Sequence, residues 1–324
     1  MRTKRSLEIL IPPSWDGRTL LKYLKNELAF SSAKVSSVKF DPDGLLLNGQ
    51  RVTVRALLHE GDRLSVLLAD SERKENHLIP NEMPLTILYE DEDLIAVDKP
   101  AGLVCHPSKG HLVDSLSSGL RAYYDRQDPA ARIHLIGRLD KETSGIVLSA
   151  KNAVAAAVLE KSGSVQKTYT AFASGVFEEK EGRITIPMVF SRDKEGILCV
   201  RAGNSIEDSR EGKFGRNETE EAAGEKSGEE SREKAAETVY TVLSGREDFS
   251  VLRVRIGTGR MHQIRFHMAE TGHPLLGDRR YGGPEEKIGR AALHAGEMTL
   301  VHPFTQERIC LTAPLPEDME RLLS

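Results

Sequence analysis

The stretch Gly137-Arg138-Leu139-Asp140-Lys141-Glu142-Thr143-Ser144-Gly145, followed by Ile146-Val147-Leu148-Ser149, constrains this chain more than any other. A turn dense in charge and hydroxyls runs directly into an apolar, β-branched segment. That is the pattern of a buried strand entered through a tight loop. Catalytic groups tend to sit on such loops at the mouth of a rigid element, and Asp140 is the carboxylate placed there. A purely structural role also fits, with Asp140 closing an Asx-turn, Lys141 and Glu142 solvated, and Thr143 and Ser144 tying down backbone. Either way the fold must build a strand immediately behind this turn.

Around that strand the chain alternates. Strands are expected over 85–89, 94–97, 145–149, 169–176, 182–189, 196–201, 239–244 and 250–256, with helices over 112–124, 153–161 and 260–271, the last closed by Gly272. This is an α+β mixture with a mainly antiparallel sheet. Residues 1–70 read as a separate small unit. Leu20, Leu21, Leu24 and Leu28 lie at helical spacing behind Asp16-Gly17. Val35 and Val38 mark a second helix, with Lys34 and Lys39 on its exposed side. Asn48-Gly49 between Leu45-Leu46-Leu47 and Gln50-Arg51-Val52 is a hairpin signal, and Gly61-Asp62 leads into a last strand over 64–68. Residues 71–83 are polar and unpatterned, the expected linker to a domain over 84–324.

Charge excludes little. The net charge is −4, but residues 206–237 alone hold six Lys or Arg against eleven Asp or Glu, so the rest of the chain is close to neutral. The stretch 205–236 has almost no large apolar residue and is expected to be a disordered acidic insertion. Cys105, Cys199 and Cys310 are distant and odd in number, which speaks against a disulfide framework or zinc site and for a reducing, cytoplasmic setting. The basic start carries no long apolar run, so neither a signal peptide nor a membrane anchor is expected.

Several motifs carry a specific resemblance. Arg138-Leu139-Asp140 with Thr143-Ser144-Gly145 resembles the signature of the RluA-type pseudouridine synthases, which isomerise uridine in structured RNA. Residues 90–104 with His106-Pro107, then Lys167-Thr168-Tyr169, then residues 257–265 with 272–278 and Tyr281-Gly282, and finally Leu293-His294-Ala295 with His302-Pro303, are similar to that family's further segments in the same order. One departure is Gly137, where many members carry His. The resemblance implies a pseudouridine synthase catalytic domain. More weakly, the two helices and small sheet of residues 1–70 are similar to an S4-like RNA-binding domain.

The implied reaction breaks the N1–C1′ bond of uridine, turns the uracil in place and rejoins it through C5. It needs no redox partner, group donor or energy source, so no cofactor is expected. The sequence holds no Gly-rich phosphate loop, and His262 and His267 are badly spaced for joint metal binding. One ionised carboxylate beside C1′ is required, either as nucleophile or as the base that takes the C2′ proton; Asp140 is the candidate. By resemblance, Arg265 holds it ionised, Tyr169 stacks on the uracil and acts near the C5 proton, and Arg138 enters the space left by the flipped base. Tyr169 as a core aromatic and Arg138 as a partner of Glu142 remain alternatives. His106, Arg260, His262 and Gln263 are further candidates for RNA contacts, as are Lys34, Lys39 and Arg51 in the N-terminal unit. The expected partner is structured RNA, foremost large-subunit ribosomal RNA, met by a monomer. The alternatives are a tRNA substrate and a ribosome-associated binding protein without catalysis. A glycoside hydrolase is disfavoured, since no second acidic motif accompanies Asp140.

Overall fold

The structure, a computed structural model, describes residues 5–68, 78–108, 110–127, 131–192, 198–203 and 233–324. Most of the expected linker (71–77) and most of the expected acidic insertion (205–232) lie outside the described residues.

In the N-terminal unit, strand β1 (Ser6–Leu10) precedes helices α1 (Leu20–Asn26) and α2 (Ser32–Phe40) and strands β2 (Leu45–Leu47), β3 (Gln50–Arg51) and β4 (Arg63–Leu67). The sheet order is β1-β4-β2-β3, so the sheet does not simply follow the helices as the sequence suggested. Asn48 and Gly49 take φ of 53° and 78°, the left-handed pair that a tight two-residue hairpin needs. Helix α1 starts at Leu20 after Thr19. Asp16, expected at its start, instead accepts from the backbone of Glu60. Lys34 also departs from expectation: it is half-buried and donates to the Leu68 carbonyl at 2.8 Å, closing the unit's C-terminal end.

The larger domain comprises β5 (Thr86–Glu90), β6 (Leu94–Lys99), α3 (Leu116–Gln127), β7 (His134–Ile136), β8 (Ser144–Ala150), α4 (Ala153–Ser162), β9 (Gln166–Ser174) and β10 (Glu181–Ile184). It continues with β11 (Met188–Arg192), β12 (Leu198–Ala202), β13 (Glu233–Lys234), β14 (Thr238–Gly245), β15 (Phe249–Ile256), α5 (Gln263–Glu270), β16 (Leu293–Val301), β17 (Arg308–Thr312) and α6 (Glu317–Glu320). The main sheet runs β10-β14-β15-β9-β16-β8-β6-β5, with β7 beside β8 and β17 beside β16. Among the described pairings, β8 with β16 is parallel and the others are antiparallel. Strand β8 is buried along its whole length, as its unbroken apolar run required. At its start a Cβ on Gly145 would fall 2.4 Å from the Ala295 carbonyl oxygen, so only glycine lets β16 approach there.

Boundaries moved where local chemistry outranked periodicity. Helix α3 begins after Ser115, whose hydroxyl accepts from the Ser118 amide at 3.1 Å, so the apolar residues from Leu112 onward are loop. The expected strand 182–189 splits into β10 and β11, which belong to different sheets. Residues 233–236, expected within the insertion, pair with β11 through β13 and bury Ala236. Helix α5 starts later than expected because His262 adopts φ 56°. It ends as foreseen at Gly272 (φ 83°), where the amides of Gly272 and His273 reach the carbonyls of Ala269 and Met268.

The two units share a core. Val154 of α4 is buried in the N-terminal cluster, with Val158 and Phe304 packed against it. Arg5 bridges to Asp93 at 2.6 Å.

Candidate active site

Strands β7 and β8 pair antiparallel, His134 opposite Ala150 and Ile136 opposite Leu148. The stretch from Gly137 to Thr143 is therefore the loop of a hairpin whose second strand lies inside the sheet. Cys105 meets it from one side, its sulfur 3.4 Å from the Leu139 amide and 3.3 Å from the Leu139 carbonyl. The wholly buried Lys99 donates to the carbonyls of Pro100, Leu103 and Lys141 at 2.8, 2.8 and 3.3 Å. Burial pushes its ammonium down to about 8. Arg290 adds a bond to the Glu142 carbonyl. Asp140 thus stands on backbone fixed from three directions.

A cleft of about 720 Å³ opens over this loop. Asp140, Tyr169, Arg265, Arg138, Arg260, His262 and Gln263, all singled out from sequence, line it together with Lys167. Tyr169 comes from β9, where it faces Val254 of β15 in register, and is 5% exposed. Arg265 is the third residue of α5 and almost completely buried.

Arg265 is engaged differently from the sequence expectation. Its Nε and Nη2 donate to the two carboxylate oxygens of Asp278, both at 2.7 Å, a bidentate charge-assisted pair. Asp140 lies 3.8 Å from Nη1 and Glu142 lies 3.1 Å from Nη2. Asp140 is therefore near the guanidinium without a hydrogen bond to it. Burial raises the Asp140 carboxyl, Arg265 and Arg138 oppose that, and the net displacement is upward. Burial first, then the Asp140 charge, raises the Tyr169 phenol, which stays neutral. His262 has Nε2 3.9 Å from Asp140 and Nδ1 3.1 Å from the Tyr281 hydroxyl. Burial and the nearby arginines push its imidazole down to about 3, so it too is neutral. A non-glycine residue in left-handed conformation beside the candidate carboxylate is the kind of strain that surrounding structure must hold.

Other candidates resolve unevenly. Gln263 is buried; its carbonyl accepts from the Thr258 hydroxyl and the Arg260 amide, and its NH2 donates to the Glu237 carbonyl and the Thr238 hydroxyl. It ties the loop before α5 and has nothing left for RNA, which corrects the sequence expectation. Arg138 is exposed at the cleft. Glu142, its alternative partner, pairs with Arg265. His106 is exposed, outside the cleft lining, and bonded to Ser117. Lys39 and Arg51 lie on the surface of the N-terminal unit, Arg51 reaching the Lys39 carbonyl. Asp278 was passed over in the sequence although it closes one of the quoted segments; an Asp behind Gly277 gives no sign that it will be buried against an arginine. Among the described residues no group of three or more His, Cys, Asp or Glu could hold a metal ion, and no helix is long and apolar enough to cross a membrane.

The family profile for RNA pseudouridylate synthase matches residues 93–270, from β6 to the end of α5. The uncharacterized RNA pseudouridine synthase YjbO of Bacillus subtilis is 34% identical over 306 residues, 94% of this chain and 98% of that relative. The ribosomal large subunit pseudouridine synthase D of Haemophilus influenzae is 31% identical, covering 82% of this chain and 77% of its own length. Among solved structures, human RNA pseudouridylate synthase domain containing 4 shares the fold with a TM-score of 0.52 at 24% identity, over 74% of this chain and 91% of that one. A profile that spans the hairpin loop, the Tyr169 strand and the Arg265 helix, with relatives that match nearly end to end, means that the chain belongs to the RNA pseudouridylate synthase family.

Proposed function

We propose that this enzyme converts uridine to pseudouridine in large-subunit ribosomal RNA, with Asp140 as the reacting carboxylate. The observation that carries the assignment is the contrast within the cleft: Asp140 is a largely buried carboxylate left without a tight partner, 3.8 Å from an arginine that Asp278 already holds. An ionised Asp140 either adds to C1′ or takes the C2′ proton. In both routes the N1–C1′ bond breaks with its electron pair going to N1. The uracil turns and C5 bonds to C1′ as Asp140 leaves C1′ or returns the proton to C2′; the C5 proton then leaves and N1 takes one up. Tyr169, a neutral phenol at neutral pH, serves as a stacking surface and hydrogen-bond donor rather than as a base. Arg138, exposed at the mouth, suits the space vacated by the flipped base.

Residues 5–68 act as an S4-like unit that places the RNA, with Lys39 and Arg51 on its surface. The ribosomal target is supported by the 31% identity to an enzyme named for the large ribosomal subunit. The chain works as a cytoplasmic monomer. The test is to map pseudouridines in ribosomal and transfer RNA from cells with and without the gene, and to incubate purified protein with unmodified transcripts of both. Loss and in vitro restoration of sites in large-subunit RNA is the expected result; sites confined to tRNA would overturn the ribosomal target.

A further inference from the structure

Lysines close to the site fall into two kinds. Lys99 gives its ammonium protons to three carbonyls and holds loops together. Lys167 lines the cleft, yet among the described residues its side chain has no hydrogen bond and no ion pair. Its position is not that of a surface lysine. It lies two residues before Tyr169 on β9, on the same face of the strand, and is only partly exposed. Its Nζ sits 3.9 Å from where a Cβ on Gly137 would be, beneath the loop that carries Asp140. A desolvated ammonium without a partner is costly, and such a group is retained where a ligand supplies the missing negative charge.

The reaction supplies that charge at this depth. We propose that Lys167 is a further catalytic residue, an ammonium that stabilises the uracil anion while the base is detached from the sugar. This rests on the mechanism proposed above. When N1–C1′ breaks, the electron pair remains on the uracil, and the negative charge spreads over its ring and carbonyl oxygens. C1′ is compensated by a bond to Asp140, or by loss of the C2′ proton to it. The base then rejoins C1′ through C5 as Asp140 leaves C1′ or returns the proton to C2′. C5 loses its proton and N1 takes one up from solvent, so charge and atoms balance with no proton taken from Lys167. A fixed cation aimed at developing charge in a partly dry cleft needs no reorganisation during the reaction. Burial brings Lys167 down to about 8, which keeps it protonated at neutral pH. RNA phosphates are the competing anions, but Arg138, Arg255 and Arg260 are the exposed cations at this cleft. Lys167 sits with the buried Tyr169, where the base must lie.

The test compares full-length wild type with Lys167→Met, which keeps the bulk and removes the charge. The substrates are pooled unmodified ribosomal and transfer RNA transcripts, and turnover by wild type on the same RNA checks separately the reading on which this inference rests. The expected result is a kcat lower by about 10²–10³-fold, with RNA affinity unchanged and the melting temperature no lower than that of wild type. Lys167→Arg, which keeps the charge, should retain more of kcat than Lys167→Met. A kcat for Lys167→Met within threefold of wild type overturns the proposal. So does a loss confined to affinity, with the salt slope shallower by about 0.7, the signature of one lost contact to a single-stranded phosphate. If Lys167→Met fails to fold, Lys167→Gln judged by the same kcat criterion decides.

Discussion

Three carboxylates meet Arg265, Asp278, Glu142 and Asp140, and the first and last occupy opposite kinds of surroundings. Asp278, on the inner side, is 0% exposed and makes two bonds of 2.7 Å to the guanidinium. Asp140, on the cleft side, keeps 17% of its side chain exposed and stands 3.8 Å away. The inner pair fixes the arginine; the outer carboxylate shares its field while its oxygens stay open to a substrate. The difference teaches that one arginine can anchor a fold and serve a site, provided the two tasks fall to different partners. Tight bonding to Asp140 would hold its charge but occupy the oxygens that must react.

The sharpest way to break the comparison is to neutralise each carboxylate in turn. Asp140→Asn should lower turnover on RNA by at least about 10³-fold, within the range expected for a lost general base or nucleophile. Activity within tenfold of wild type would remove Asp140 from the chemistry. The same variant should not lower the melting temperature at neutral pH. The folded-state pKa of Asp140 is raised, so the folded protein binds the proton more tightly than the unfolded chain does. Stability therefore falls as pH rises from the unfolded value through the folded one, and an asparagine escapes that loss.

Asp278→Asn should do the opposite. Breaking a buried pair by removing one charge costs about 3–5 kcal/mol, read as a fall in denaturant midpoint, with turnover reduced as well because Arg265 loses its anchor. Equal stability for the two variants would show that the carboxylates are not divided in this way.

A smaller effect comes from pH. If ionised Asp140 is the reacting form, turnover should fall on acidification through a pKa above the ordinary aspartate value of 3.8. An acid limb at or below that value would mean that another group is being titrated. The smallest effect is expected for Tyr281→Phe. It removes the hydroxyl 3.1 Å from His262 but keeps the ring 5.5 Å from the Arg265 guanidinium. A stability loss of about 0.5–1.5 kcal/mol, that of one hydrogen bond, with turnover lowered only severalfold, fits His262 as support for Asp140. A loss as deep as that of Asp140→Asn would move His262 into the chemistry.

Much of the fold was legible where local signals agree. Strand β8, helix α4, the Asn48-Gly49 hairpin and the Gly272 terminus follow from periodicity or a single backbone demand, which neighbours in sequence express fully. Strands β1, β7, β16 and β17 were missed: β1 and β16 pair with distant segments, Ser6 with Leu67 and His294 with Ser144, while β7 and β17 sit in local hairpins, Ile136 with Leu148 and Val301 with Arg308, that no Asn-Gly turn marks.

The sequence by itself determined the loop that presents Asp140 and the strand behind it, since those are runs of chain with their own turn and strand chemistry; Arg138, Tyr169 and Arg265 were singled out by the family resemblance. Only the tertiary structure decided who partners whom. It assigned Arg265 to Asp278, Lys34 to the Leu68 carbonyl and Gln263 to its own loop, and it left Lys167 and Asp140 without tight partners in the described cleft. The physical reason is that a charged or amide side chain has the same propensity whether it will be satisfied or not. Burial and distance, set by elements far apart in the chain, decide which groups are held for structure and which remain open for chemistry.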